Sequence, residues 1–202
     1  MKKISYLVGL LLIVNFAFGA YSVGATNSPT TDEGVVVAGI RWATRNVDAP
    51  GTFAANPEST GMFFQWGKRY GWATTGEVVG WENSVPFGTR WMPIDDPCPE
   101  GWRIPTVYEL RSLRYEKSEW TSLNGVNGRL FGSAPNQLFL PATGWRLQRD
   151  GALVNVGKNG YYWSVSKTGS GFARYLGFMQ RAKNLSATNQ AYGFSVRCVF
   201  IE

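Results

Sequence analysis

The C-terminal part of the chain alternates between apolar and polar positions with a period of two. Along residues 192–201, one face of an extended chain carries Tyr192, Phe194, Val196, Cys198 and Phe200. The opposite face carries Gly193, Ser195 and Arg197. Because successive side chains of a strand point to opposite sides, this pattern predicts a β-strand whose Cys198 side chain points into the core.

Apolar runs of strand length recur through the rest of the chain. They predict strands at residues 35–43, 61–67, 137–140, 160–166 and 172–179. The second of these runs is apolar on both faces, so we expect it to be buried. In the last run Leu176 and Phe178 are expected to point inward, whereas the polar residues 181–190 are predicted to form a loop.

One segment carries the signals of a helix start. Thr106 lies three residues before Glu109, which is the spacing of a capping box. The apolar stripe that follows is formed by Val107, Leu110 and Leu113. Residues 118–123 are predicted to add another helical turn. With six to eight short, mostly antiparallel strands and one or two helices, the pattern predicts an α+β fold.

The N-terminus has the pattern of a secretory signal peptide. Lys2 and Lys3 precede an apolar run to residue 20, and small residues follow. We expect a signal peptide at residues 1–25, a flexible leader at 26–34 and a single domain at 35–202, and signal cleavage near Gly19 would fit as well. A retained membrane anchor is the alternative, although the run is short for a span. The mature protein is expected to have no integral membrane span and to be secreted, periplasmic or on the cell surface of a Gram-negative bacterium.

The chain contains two cysteines, Cys98 and Cys198. In an exported chain two cysteines most simply pair with each other, and a loop of this length would stabilise the fold by up to about 4–5 kcal/mol. A reactive thiol and a metal ligand are the alternatives. Cys98 opens the sequence Cys-Pro-Glu-Gly, which predicts a type I turn just before the helix.

Charge and composition exclude several classes of function. The formal charge is +6, and it falls to +4 once Lys2 and Lys3 are removed with the signal peptide. The bases are scattered and belong to no nucleic-acid-binding motif, so no nucleic-acid partner is predicted. The chain has no histidine. This removes histidine-based catalytic triads and most zinc sites.

Residues 68–92 have neither helical nor strand periodicity and are rich in glycine and tryptophan. Long irregular segments of this kind are commonly functional loops. The candidate ligand-binding residues are Trp72, Trp81 and Trp91. Exposed rings stack on sugar faces or anchor a protein partner, and the alternative is that they only fold the loop onto the body. The tryptophans expected in the core are Trp42, Trp102 and Trp163.

Six segments follow one another in a recognisable order. They are WATRNVD (42–48), DPCPEGWRIPT (96–106), GVNGR (125–129), LFLPA (138–142), GYYWS (160–164) and GFSVRCV (193–199). Together they resemble the Fibrobacter succinogenes major paralogous domain (FISUMP), a family common in exported proteins of Bacteroidota and Fibrobacterota. The resemblance runs from about residue 36 to the C-terminus.

The resemblance implies a C-type-lectin-like fold, in which a disulfide commonly joins the helix region to the final strand. That agrees with pairing of Cys98 and Cys198. The chain departs from the family at Val165, where a second serine usually follows Tyr-Trp-Ser. The family implies no assigned catalytic residues, so none are predicted.

Calcium is an alternative that the resemblance raises. Calcium-dependent C-type lectins use Glu-Pro-Asn and Trp-Asn-Asp triplets, and the nearest segments here, residues 134–136 and 81–83, lack a carboxylate or change the order. The adjacent acids Asp95 and Asp96 are more typical of capping than of a site with six to eight oxygen ligands. We predict no cofactor and no metal, with calcium kept as the alternative.

Two enzymatic alternatives are weaker. Formylglycine-generating enzymes share the broader fold, but this chain would have to use its only two cysteines for chemistry. A glycosidase needs two facing carboxylates, and no pair among the 14 acids is marked by its spacing.

The sequence therefore favours a non-enzymatic, exported binding module. It would present the loop 68–92, together with residues 181–190, to a glycan or a cell-surface protein. A structural or tip subunit of a bacterial cell-surface assembly is the second hypothesis, and a polysaccharide-acting enzyme is the third.

Overall fold

The computed structural model describes residues 28–85 and 90–202. The predicted signal peptide lies outside the described residues. The strands are β1 Val35–Val37, β2 Ile40–Trp42, β3 Phe63–Gln65, β4 Gly71–Trp72, β5 Trp102–Arg103, β6 Ser118–Leu123, β7 Val126–Ser133, β8 Asn136–Pro141, β9 Trp145–Arg146, β10 Leu153–Val154, β11 Asn159–Lys167, β12 Phe172–Met179, β13 Ala182–Asn189, β14 Gly193–Phe194 and β15 Val199–Phe200. The α-helix α1 spans Val107–Tyr115, and a 3₁₀ turn spans Pro93–Asp95.

The strands form four sheets in which all paired strands are antiparallel. Their orders are β1-β2-β15-β5, β10-β9-β14-β3-β4, β11-β12-β13 and β6-β7-β8. An α+β class with mostly antiparallel strands and one helix among the described residues is therefore confirmed. No helix in this part of the chain has the length and apolar character needed to cross a membrane.

Helix α1 begins as the sequence predicts. Thr106 is the N-cap, its hydroxyl accepts the backbone N–H of Glu109, and the Glu109 carboxylate accepts the backbone N–H of Thr106. Arg103 adds a two-bond ion pair to the same carboxylate, at 2.6 and 2.9 Å. Leu110 and Leu113 are buried, so the apolar stripe faces the core.

Three predicted elements are wrong, and strand pairing explains each of them. Residues 118–123 are strand β6, because Asn124 and Gly125 adopt positive φ and turn the chain back to pair with β7. Residues 182–189, expected to be a loop, form strand β13 and pair with all of β12. The run 35–43 is a hairpin of β1 and β2, turned at Ala38 and Gly39 where φ is also positive.

The final segment is two short strands rather than one. β14 pairs in the five-stranded sheet and β15 in the four-stranded sheet, while Ser195 between them bridges to Tyr162 of β11. Both faces are buried as a result. Arg197 is only 1% exposed and donates to Asn46 Oδ1 and to the Ala43 carbonyl. Burial lowers the pKa of Arg197 to about 10.

Two apolar clusters form the core. One contains Trp102 and Trp163 and is completed by aromatic residues of β3, β11 and β14. The other contains Trp42 and joins α1 to β8 and β12, with Leu176 and Phe178 pointing inward. The prediction that these three tryptophans and the two β12 residues lie in the core is confirmed.

The disulfide Cys98–Cys198 is present and joins the segment before α1 to the end of the chain. The adjoining turn lies one residue later than predicted. The Trp102 N–H donates to the Pro99 carbonyl, and Gly101 has φ of +80°, which a type II turn requires at its third residue.

The described part of the predicted flexible leader is held against the domain. The Asp32 carboxylate accepts hydrogen bonds from the backbone N–H groups of Gly34 and Thr44 and from Arg45 Nε. The Pro29 carbonyl accepts from the backbone N–H of Phe53. Residues 29–34 therefore belong structurally to the domain.

Candidate ligand-binding site

The loop that follows β4 folds back over the five-stranded sheet. It is fixed to the body at three places: beneath its first turn, at Trp81 and at Glu82. The sequence predicts an irregular functional loop here, and the contacts below show how its conformation is determined.

Arg146 of β9 fixes the first turn of the loop. Its side chain is fully buried, and its Nε and Nη2 donate to the Ala73 carbonyl at 2.9 and 2.7 Å. Nη2 also reaches the Thr75 and Gly76 carbonyls at 3.3 and 3.2 Å, and Nη1 donates to Gly151 at 2.6 Å. Burial lowers the pKa of Arg146. The planar guanidinium thus donates hydrogen bonds to several loop carbonyls at once. This forked arrangement of donors is one that a lysine ammonium cannot reproduce.

Trp81 fixes the middle of the loop. Its indole Nε1 donates to the Gln148 carbonyl at 2.9 Å. A Cβ placed on Gly151 would lie 2.6 Å from the Trp81 ring, and one placed on Gly193 would lie 2.9 Å from it. Glycine at both positions therefore lets the indole lie directly on the backbone of the sheet and of the β9–β10 turn. This contact makes Trp81 mainly an anchor of the loop.

Glu82, the next residue, ties the loop to β3. Its backbone carbonyl accepts from Gln65 Nε2, and its carboxylate pairs with Lys68 Nζ at 2.8 Å. The hydrogen bond from Lys68 is the main cause that lowers the pKa of Glu82, so this carboxylate stays ionised at neutral pH.

A row of neighbouring aromatic rings is formed by Tyr70, Trp72 and Trp81. We call these three side chains the aromatic row. The ring centroids of Tyr70 and Trp72 are 5.5 Å apart, and those of Trp72 and Trp81 are 4.8 Å apart. Tyr70 is 47% exposed, while both tryptophans are half-buried. Trp72 Nε1 is buried without a hydrogen-bond partner among the described residues. An orphaned donor costs about 1–3 kcal/mol.

Trp91 does not belong to this row. Its ring is 3% exposed, packs edge-on against Trp66 at 5.7 Å, and donates from Nε1 to the Asp95 carbonyl. The burial of both the ring and its N–H leaves Trp91 no free face for a ligand. Among the three predicted ligand-binding tryptophans it is therefore a core residue, and the structure brings only Trp72 and Trp81 together.

A cleft of about 580 Å³ opens beside Trp81, between the loop and the β9–β10 turn. It is lined by Gly76, Glu77, Val78, Asp150, Gly151, Ala152 and Leu153. Glu77 and Asp150 place one carboxylate on each side. The backbone N–H of Ala152 is the main cause that lowers the pKa of Asp150, and Arg149 adds to it. The cleft therefore offers charged hydrogen-bond acceptors next to an apolar ring.

Sequence analysis does not identify four residues of this arrangement: Tyr70, Glu77, Arg146 and Asp150. The sequence Gly-Trp-Arg occurs at residues 101–103 and again at 144–146. This repetition does not indicate that Arg146 contacts Ala73, which lies 73 positions earlier in the chain. Each of the four acquires its place only when the loop and the β9–β10 turn come together.

Asp96, one of the two carboxylates considered for calcium, caps a turn. Asp96 accepts the backbone N–H groups of Cys98 and Ile104, at 2.9 and 3.0 Å, and so caps the turn that carries the disulfide. Burial raises the pKa of Asp96 despite these bonds. Across residues 28–85 and 90–202, no group of three or more aspartate, glutamate or cysteine side chains is placed to hold a metal ion.

Comparison of the chain with protein families, with curated proteins and with solved structures found no match.

Proposed function

We propose that the protein is an exported, non-enzymatic binding module that recognises a neutral glycan at the aromatic row and the adjoining cleft. The observation that carries the proposal is the pre-formed loop. Arg146 and Trp81 hold the loop in place, so that the loop and the β9–β10 turn enclose a cleft with two acidic residues, and the rings of Trp72 and Tyr70 continue in a row from Trp81. Order that exists before binding reduces the entropy that a ligand must overcome.

The chemistry of the site suits a sugar. A pyranose presents an apolar face made of C–H groups and a rim of hydroxyl donors. The Tyr70 ring offers a flat, half-exposed surface for the apolar face of the sugar. The carboxylates of Glu77 and Asp150 accept hydrogen bonds from the sugar hydroxyl groups. An anionic sugar is disfavoured here because it would bring like charges together.

Asp150 is not suited to be the general acid of a glycosidase. A glycosidase requires one carboxyl group with a raised pKa to act as general acid. The pKa of Asp150 is shifted the other way by the Ala152 N–H and by Arg149. Asp150 therefore stays ionised and serves as an acceptor.

We also propose that the domain has a C-type-lectin-like architecture of the FISUMP type. Three features support this: the disulfide from the helix region to the last strand, the strand-dominated α+β fold, and a long loop fixed over a sheet. Export agrees with the presence of a disulfide, which is characteristic of oxidising compartments.

The test is a glycan array of neutral oligosaccharides probed with the purified protein, in calcium and in chelator. We expect binding to neutral glycans that does not depend on calcium. The Glu77→Gln/Asp150→Asn variant should lose about tenfold in affinity, equivalent to about one charge-assisted hydrogen bond.

The matched control is Glu100→Gln/Glu119→Gln, which removes two exposed carboxylates elsewhere. It should bind as the wild type does. Equal loss in both variants, release of cleaved sugar, or no neutral glycan bound would contradict the proposal.

A further inference from the structure

A second cleft, remote in sequence from the first, is lined by positive charge. It has a volume of about 420 Å³ and lies where the end of α1 meets β6, β7 and β13. Its cations are Arg114, Arg129, Arg181 and Lys183. We call this group of four side chains the basic cleft.

Two of these cations share one hydroxyl group. Ser118 Oγ accepts from Lys183 Nζ at 2.7 Å and from Arg129 Nη1 at 3.2 Å. Lys183 also donates to the Leu113 and Glu116 carbonyls at the end of α1. Neutral oxygen atoms thus hold the cations of Arg129 and Lys183 close together. This arrangement costs free energy unless an opposite charge offsets the repulsion between the two cations.

Within residues 28–85 and 90–202, no carboxylate forms an ion pair with the cations of the basic cleft. The ion pairs of the described residues involve other side chains: Arg45–Asp32, Lys68–Glu82, Arg103–Glu109 and Arg149–Asp150. The pKa of Lys183 is lowered by burial and then by Arg129 and Arg114, and only Glu116 opposes this. An anion that entered the cleft would therefore meet an excess of positive charge, which Glu116 offsets only in part.

Arg129 supplies an independent observation. It is 7% exposed, and its Nη2 donates to the carbonyls of Met179 and Gln180 at 2.8 and 2.9 Å. Its Nε has no hydrogen-bond partner among the described residues. A buried guanidinium without a counter-ion is costly in isolation, and such groups are normally paired.

The cleft continues past Arg181 into a neighbouring depression of about 500 Å³. That depression carries Trp120, Lys158 and the amide side chains of Asn127 and Asn159. The two clefts share Arg181. An aromatic ring, amide groups and spaced cations along one path match a chain of sugar rings that bears acidic groups.

We infer that the basic cleft and its continuation bind an anionic oligosaccharide, one that carries carboxylate or sulfate groups. The acidic groups pair with Arg114 and Arg181, and one sugar ring packs on Trp120. Lys183, whose ammonium already donates three hydrogen bonds within the protein, adds positive charge to the cleft. This site is separate from the proposed neutral-glycan site, because the aromatic row and its cleft involve none of these residues.

The experiment is a titration of the purified protein with three probes: a galacturonic-acid hexasaccharide, a sulfated hexasaccharide and an uncharged hexasaccharide. The variant Arg114→Gln/Arg181→Gln should weaken binding of the anionic probes about tenfold. Neither arginine is among the buried residues, so the fold should be retained, and the thermal transition reports this.

The control Arg90→Gln/Arg111→Gln removes the same charge from exposed positions outside the cleft. It should bind the anionic probes within about twofold of wild type, because exposed distant charges are screened by salt. Three outcomes would overturn the inference: no anionic probe binds, both variants lose affinity equally, or a single-stranded oligonucleotide of equal charge binds more tightly than either sugar.

Discussion

Replacing Arg146 with methionine should release the loop while leaving the rest of the fold in place. The guanidinium donates to four backbone carbonyls, at Ala73, Thr75, Gly76 and Gly151. At about 1 kcal/mol net for each carbonyl that it satisfies, the fork contributes about 4 kcal/mol. Methionine avoids the cost of burying a cation, so we expect the free energy of unfolding to fall by about 3 kcal/mol.

Two assays separate the loop from the rest of the domain. Urea unfolding gives the global free energy, and a glutamate-specific protease under native conditions reports on the loop through the bonds after Glu77 and Glu82. Arg146→Met should be cut there much faster than wild type. Arg146→Lys, which keeps the charge but loses the fork, should be intermediate. If Arg146→Met resists the glutamate-specific protease and urea as wild type does, the guanidinium does not hold the loop.

Two further predictions concern the scaffold. Cys98→Ser/Cys198→Ser should lower the free energy of unfolding by about 4–5 kcal/mol in urea, because the bridge closes a loop of 100 residues. Stability should also fall in acid. Burial alone would raise the pKa values of Glu109 and Asp32, but their hydrogen bonds outweigh it and the pKa values lie below the ordinary 4.5 and 3.8. The contribution of these two carboxylates to the free energy of unfolding is complete above their ordinary pKa values. It is lost as the pH falls through their lower folded-state pKa values. Glu109→Gln should flatten the stability profile below about pH 4.5.

Local signals were enough to predict the elements whose determinants lie close together in sequence. The capping box of Thr106 and Glu109 involves two residues three positions apart, and it is present as predicted. In the strand Phe172–Met179 the inward-pointing residues Leu176 and Phe178 are two positions apart, and the bounds of the strand agree with the prediction. Cys98 and Cys198 are far apart, but they are the only two cysteines, so their pairing needed no geometric information.

Elements that depend on distant partners were not predictable. β13 is polar, and only its pairing with β12 makes it a strand. The burial of Trp91 depends on Trp66, which lies 5.7 Å away across the fold. The loop conformation depends on Arg146, whose guanidinium meets carbonyls 70 to 73 positions earlier in the chain. Composition indicated an aromatic-rich loop, but contacts between residues far apart in the sequence decide which of its rings remain accessible to a ligand.

The most direct test of the account is the affinity of the protein for neutral hexasaccharides of glucose, xylose and mannose, measured by isothermal titration for wild type and Tyr70→Ala. Tyr108→Ala, which removes an exposed ring on α1, is the control. We expect one of the sugars to bind, Tyr70→Ala to lose about 30-fold, corresponding to about 2 kcal/mol, and Tyr108→Ala to match wild type. Unchanged affinity in Tyr70→Ala would show that the aromatic row is not the contact surface.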